Sequence, residues 1–235
     1  MRSAFACFLG IILSGCTGTG QPDVSFPAYF MPTAEKSFVV GDVTLTLSEA
    51  RVAFGPAYFC ASASGSATLC ETALGEIREE AVFDLLSSER QMVGTYHGFV
   101  GQVRSGSYDQ GIHWFLPQQE AQSASNAPLG HSALFRGTAS RAGSQVVFEM
   151  HIDIVPQYRG QRAVPTVTVQ GDVTEATESV EMRLDLESWL STVDYEQMLL
   201  SGKEPYIVES GEVDHDAVVI RMVSNDPVEF VFTSR

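Results

Sequence analysis

Apolar and polar residues alternate with a period of two along most of this chain. Val146, Phe148, Met150, Ile152 and Ile154 point one way, while Val147, Glu149, His151 and Asp153 point the other, which is the pattern of a half-buried strand. Val180, Met182, Leu184 and Leu186 alternate in the same way with Glu181, Arg183 and Asp185, and similar patterns occur near 37–47, 50–59, 92–103 and 110–116. Turn residues separate these runs. Arg141-Ala142-Gly143-Ser144 predicts a tight hairpin between 134–140 and 145–155, and Ser224-Asn225-Asp226-Pro227 predicts a second between 217–223 and 228–233. Helix is scarce. Asp194, followed three residues later by Gln197 and then by Gly202, predicts one short capped helix. The stretch 70–80 fits either helix or strand, and 118–130 is the longest loop candidate. Many short strands without alternating helices predict an all-β fold, an antiparallel β-sandwich or partly open barrel with one or two short helices.

The first residues follow a different rule. Arg2, the apolar run 4–13 and then Ser14-Gly15-Cys16 have the charge, length and small-residue ending of an export signal, and the run is too short to span a bilayer. Leu13-Ser14-Gly15-Cys16 resembles the lipobox of bacterial lipoproteins. The resemblance implies that residues 1–15 are a signal peptide, that the chain is cut before Cys16, and that this cysteine carries the acyl chains, palmitate among them. Several acyl chains together hold firmly, because each buried methylene contributes about 0.8 kcal/mol. In that family the residue after the cysteine is read for sorting, and Thr17, where Asp would favour retention, implies a lipid anchor in the outer membrane facing the periplasm or the cell exterior. The expected organisation is the signal at 1–15, lipidated Cys16 with a linker over 16–36, and one β-sandwich domain over 37–235. The polar stretch from Thr17 to Asp23 reaches about 25 Å when fully extended, so the body sits near the lipid.

Composition narrows the partners. The 235 residues hold 14 basic and 29 acidic side chains, a formal charge of -15, and 44% are hydrophobic, which suits a globular body. Such a polyanion gains no counterion release on nucleic acid, so nucleic-acid binding is excluded from the expected functions. The acidity is concentrated in 172–235, which carries 15 Asp or Glu against four Lys or Arg. That field attracts cations and basic surfaces, although solubility alone also accounts for it. Cys7 leaves with the signal and Cys16 is lipidated, so Cys60 and Cys70 remain as a pair, expected as a disulfide that stabilises by about 2–3 kcal/mol.

Catalytic signatures are absent: no Gly-x-Ser-x-Gly elbow, no His-Glu-x-x-His and no phosphate-cradling loop occurs. The sharpest local arrangement is Glu149, His151 and Asp153 on one strand face, a partial donor set for copper or zinc that needs a further ligand from a neighbouring strand. A solvated face of an acidic sheet explains the same three residues. A second candidate is a face for a ligand or partner built from Tyr108, His113 and Trp114, which lie among the glycines at 94, 98, 101, 106 and 111, where either a ligand or another backbone can approach closely. Core packing is the alternative for these aromatics. Tyr158, Arg159 and Arg162 form a small basic and aromatic island suited to a carboxylate or a partner protein. Asp214-His215-Asp216 fits the charged start of a strand. The sequence therefore predicts a non-enzymatic binding or interaction module that needs no cofactor and takes an envelope protein or small ligand. A periplasmic copper or zinc protein is the alternative, and a hydrolase the third class. The grouping of the five histidines in space discriminates among them.

Overall fold

The structure is a computed structural model that describes residues 20–33, 35–63 and 73–235. Its strands are β1 (Asp23–Phe30), β2 (Ser37–Val40), β3 (Val43–Phe54), β4 (Ala57–Cys60), β5 (Ala73–Ile77), β6 (Ala81–Asp84), β7 (Gln91–Phe99) and β8 (Gly101–Tyr108). They continue with β9 (Ile112–His113), β10 (Gln122–Ser123), β11 (Ala133–Arg141), β12 (Ser144–Ile152), β13 (Val164–Val173), β14 (Thr177–Arg183), β15 (Tyr206–Val208) and β16 (Glu229–Ser234). Among the described residues the helices are α1 (Leu186–Leu190), α2 (Tyr195–Leu200) and α3 (Val213–Ile220), the last running into a π-helical turn, Arg221–Asn225, besides a short 3-10 turn, Pro128–Gly130. The fold is all-β, as the alternation predicts. No helix among the described residues is long and apolar enough to cross a membrane.

Eight strands form one sheet in the order β13-β8-β4-β5-β7-β1-β14-β16, and β15-β12-β11-β3-β2, with β6 on β3, form a second. Pairing is mostly antiparallel, but β1 with β14 and β12 with β15 are parallel. The large sheet curls until its two ends approach. There a Cβ placed on Gly171 of β13 would stand 2.4 Å from Cδ2 of Phe232 on β16, so only a glycine lets that ring close the seam. The two sheets meet through aromatic side chains: Phe30 of β1 stacks on Phe83 of β6 at 4.2 Å, and Phe54 of β3 lies 5.2 Å from Tyr108 of β8. Within the curled sheet Phe26 stacks on Tyr96 at 4.6 Å.

The local signals explain most elements. Val146, Phe148, Met150 and Ile152 of β12 are buried, and Glu149 and His151 face outward. The β11–β12 hairpin turns through Ala142 (φ 45°) and Gly143 (φ 85°), two left-handed residues whose twist matches the strands they join. The Asp194 side chain accepts the Gln197 N–H at 2.9 Å and opens α2, as its spacing predicts.

Three expectations need correction. The linker does not extend to 36, because β1 lies inside the large sheet between β7 and β14, where its alternate apolar residues Phe26, Ala28 and Phe30 are buried. The hairpin expected between 217–223 and 228–233 is absent, and 213–220 is helical. The β-branched run there resembles a strand, yet the helix places Val218 and Met222 four residues apart on one buried face, and Asp214 and Asp216 complement the positive end of its dipole. Asp214-His215-Asp216 therefore opens a helix, with the Asp214 carboxylate accepting the Asp194 N–H at 2.9 Å and pushed up in pKa mainly by burial. The glycine-rich run serves close packing within the protein: a Cβ on Gly98 would lie 2.2 Å from the Leu74 carbonyl, and one on Gly75 would strike the Tyr96 ring.

Candidate functional site

The segment 153–163 leaves the end of β12 and returns as β13, while α3 and its π-helical extension pass beside it. Between them lies a groove of about 960 Å³. Its wall includes the polar residues Asp153, Arg162, Thr168, His215, Asp216 and Asn225 and the apolar residues Ile154, Val167, Val219 and Val223.

His215 holds this wall together. Its Nε2 accepts the main-chain N–H of Asp153 at 3.1 Å, and its Nδ1 stands 2.9 Å from Oδ1 of Asp216. A ring nitrogen that accepts an N–H carries no proton, so the imidazole is neutral and Nδ1 donates to Asp216. Both nitrogens are occupied, which leaves His215 without a free one to act as a base.

Arg162 is the only Lys or Arg on the groove wall among the described residues, and it is already engaged. Its Nη1 forms a short hydrogen bond to Oδ2 of Asp109, and its guanidinium lies 4.3 Å above the Tyr58 ring. Asp109, whose side chain is 2% exposed, also accepts the Ala163 N–H at 3.1 Å and meets Nδ1 of His113 at 3.2 Å. On its other side His113 faces Glu80 at 3.4 Å.

The outward face of the second sheet carries a second cluster. His131 stacks on His151 with ring centroids 4.5 Å apart and planes 14° apart. Nδ1 of His131 meets Asp153 at 2.8 Å, and Nε2 of His151 meets Glu149 at 2.6 Å. Arg136 grips Glu149 through Nε and Nη2 at 2.7 and 2.8 Å and Glu49 through Nη1 at 2.7 Å. The Arg136 hydrogen bonds hold the Glu149 carboxyl down at about 2, with His151 adding to the effect. Three of the five histidines thus gather around Asp153: His131 on its carboxylate, His151 stacked on His131, and His215 on its backbone N–H. Among the described residues, no group of three or more His, Cys, Asp or Glu is placed to hold one metal ion. The reason is visible at the stacked pair, where near-parallel rings aim their in-plane lone pairs side by side, not at one point, and each ring has one nitrogen on a carboxylate.

The expected aromatic face is not a surface. Tyr108 is fully buried, with its hydroxyl accepting the Val228 N–H at 2.9 Å and pushed up in pKa by burial, and His113 is buried against Asp109. Trp114 is half-buried. Both side chains lie inside because β8 and its continuation line the core and the Asp109 cluster. Of the basic island, Tyr158 is 61% exposed and Arg159 reaches the Leu116 and Gln118 carbonyls at 3.3 and 3.1 Å, while Arg162 turns inward to Asp109. Cys60 is buried and half of a disulfide, whereas Cys70, expected as its partner, and Cys16 lie outside the described residues. Sequence reasoning missed Asp109 and His131. The groove wall formed by His215 and Asp216 was within reach, since two acids in the first turn before an apolar i, i+4 pair is a helix signal.

No family model, curated protein or solved structure matches this chain.

Proposed function

We propose that this chain is a lipid-anchored protein of the bacterial outer membrane whose β body is a non-enzymatic binding module, with the groove between 153–168 and α3 as its site. The groove carries this reading: about 960 Å³ is the size of a small-molecule site, and its wall combines methyl groups with a few convergent polar ones. The neutral, doubly bonded His215 favours a fixed binding wall over acid–base chemistry. The lipobox-like Leu13-Ser14-Gly15-Cys16 supports the anchor.

Two experiments test the reading. Thermal-shift screening against amines, amino acids and sugars should find a saturable ligand for the native chain that is lost in Val219→Trp, which fills the groove, and a panel without any such ligand refutes the site. Detergent-phase partition should follow Cys16, so native protein and Cys16→Ser found together in the aqueous phase refute the anchor.

A copper or zinc protein is the second reading, favoured by the arrival of His131 beside His151 and Asp153. It requires a ring to turn away from its carboxylate. Calorimetric zinc or copper titration should then give one equivalent, lost in both His131→Ala and His151→Ala, and no uptake ends this reading.

A further inference from the structure

We infer that the groove takes a ligand with a methylene stem and a positively charged end, an alkylamine or alkylguanidinium. The inference rests on the groove being the binding site and names the chemistry it selects.

The argument is a balance of charge on the wall. Arg162 does not make the groove basic, because its charge is matched by buried Asp109 and its face is covered by the Tyr58 ring. Two carboxylates remain, Asp153 and Asp216. Neither is cancelled by His215. That imidazole is held neutral by accepting the Asp153 N–H, so it lends Asp216 a hydrogen bond but no positive charge. On Asp153, His131 engages Oδ1 only, and among the described residues Oδ2 of either carboxylate has no hydrogen-bond partner in the protein. The groove therefore presents two anionic oxygens ready to accept from a donor.

The rest of the wall sets what carries that donor. Ile154, Val167, Val219 and Val223 line the same space, and methyl groups of this kind cover a hydrocarbon stem while its charged head stays with the polar atoms. A bare inorganic cation would gain nothing from them. An anion would meet two carboxylates, each with one oxygen lacking a hydrogen-bond partner among the described residues, and a field of formal charge -15, which repels it and steers cations inward. Burial ranks the two acids: the Asp153 side chain is 22% exposed and that of Asp216 68%, so Asp153 acts in the drier surroundings and contributes more.

Calorimetric titration of the full chain with 1,5-diaminopentane and with agmatine tests this, with 1,5-pentanediol as a neutral probe of equal length and acetyl-lysinamide to distinguish a peptide side chain from a free amine. One-site binding of an amine is expected, weakened about tenfold in Asp153→Asn and about threefold in Asp216→Asn, and unchanged in Asp172→Asn, which lines a separate cleft beside β8 and β13. Both groove variants keep an acceptor of the same shape, and circular dichroism melting confirms their fold. Equal weakening in all three variants would reduce the effect to general surface acidity and overturn the inference. Binding of pentanediol in place of the amines would also overturn it, while leaving the groove as a site. Absence of any amine binding overturns it outright, and the wider screen with Val219→Trp then decides the binding-module reading separately.

Discussion

His215 on α3 accepts the main-chain N–H of Asp153 at 3.1 Å, a single bond that ties a helix near the C-terminus to the end of β12 across 62 positions of sequence. It joins two residues of the groove wall and makes Nε2 of the imidazole an acceptor.

Removing that acceptor should loosen this tie. In His215→Phe the Asp153 N–H loses its partner in a half-buried setting, and we expect a loss of about 1–2 kcal/mol in chemical denaturation. His215→Gln, which retains an acceptor, should lose less. Equal stability of the phenylalanine variant and the native chain would show that the tie contributes nothing.

Acid should act on the outward face through Glu149. Arg136 holds its folded carboxyl at about 2, below the ordinary value of 4.5, so the stabilisation is complete above about pH 4.5 and is lost as pH falls toward 2. Glu149→Gln should be less stable than the native chain at pH 7 and lose less between pH 4.5 and 2. Parallel stability curves for the two proteins across that window would contradict the assignment.

The seam of the curled sheet gives a sharper test. Gly171→Val places methyl groups where the Phe232 ring lies, and overpacking of this kind costs about 1–3 kcal/mol. Adding Phe232→Ala should recover part of that loss, giving a non-additive double-mutant cycle, whereas strict additivity would separate the two residues.

Cys60 and Cys70 should resist maleimide labelling in the native, unreduced protein and label after reduction. Immediate labelling of both would exclude their pairing.

The β11–β12 hairpin of the second sheet is readable from alternation, since β12 buries every second residue from Val146, β11 does so from Phe135 to Ala139, and the Ala142-Gly143 turn sets their register. β1 escapes that reading: Phe26, Ala28 and Phe30 follow a polar stretch and are interrupted by Pro27, so the segment resembles a continued linker until β7 and β14 pair with it. α3 escapes for the opposite reason. Its valines and isoleucine carry a strong local strand preference, which is outweighed by burying Val218 and Met222 and by the bonds from Asp214 and His215.

By itself the sequence determined the strand-rich class of the body, the hairpin at Ala142-Gly143, the capped helix at Asp194 and the acidity of the C-terminal part, because each is written in neighbours a few residues apart. The tertiary structure alone decided that Tyr108 and His113 turn inward, that Asp109 neutralises Arg162 across 53 positions, and that His215 meets Asp153. Those outcomes depend on which strands lie side by side and on which buried charge finds a partner. Both are settled when the whole chain closes over its core, and neither has a signature in any local window.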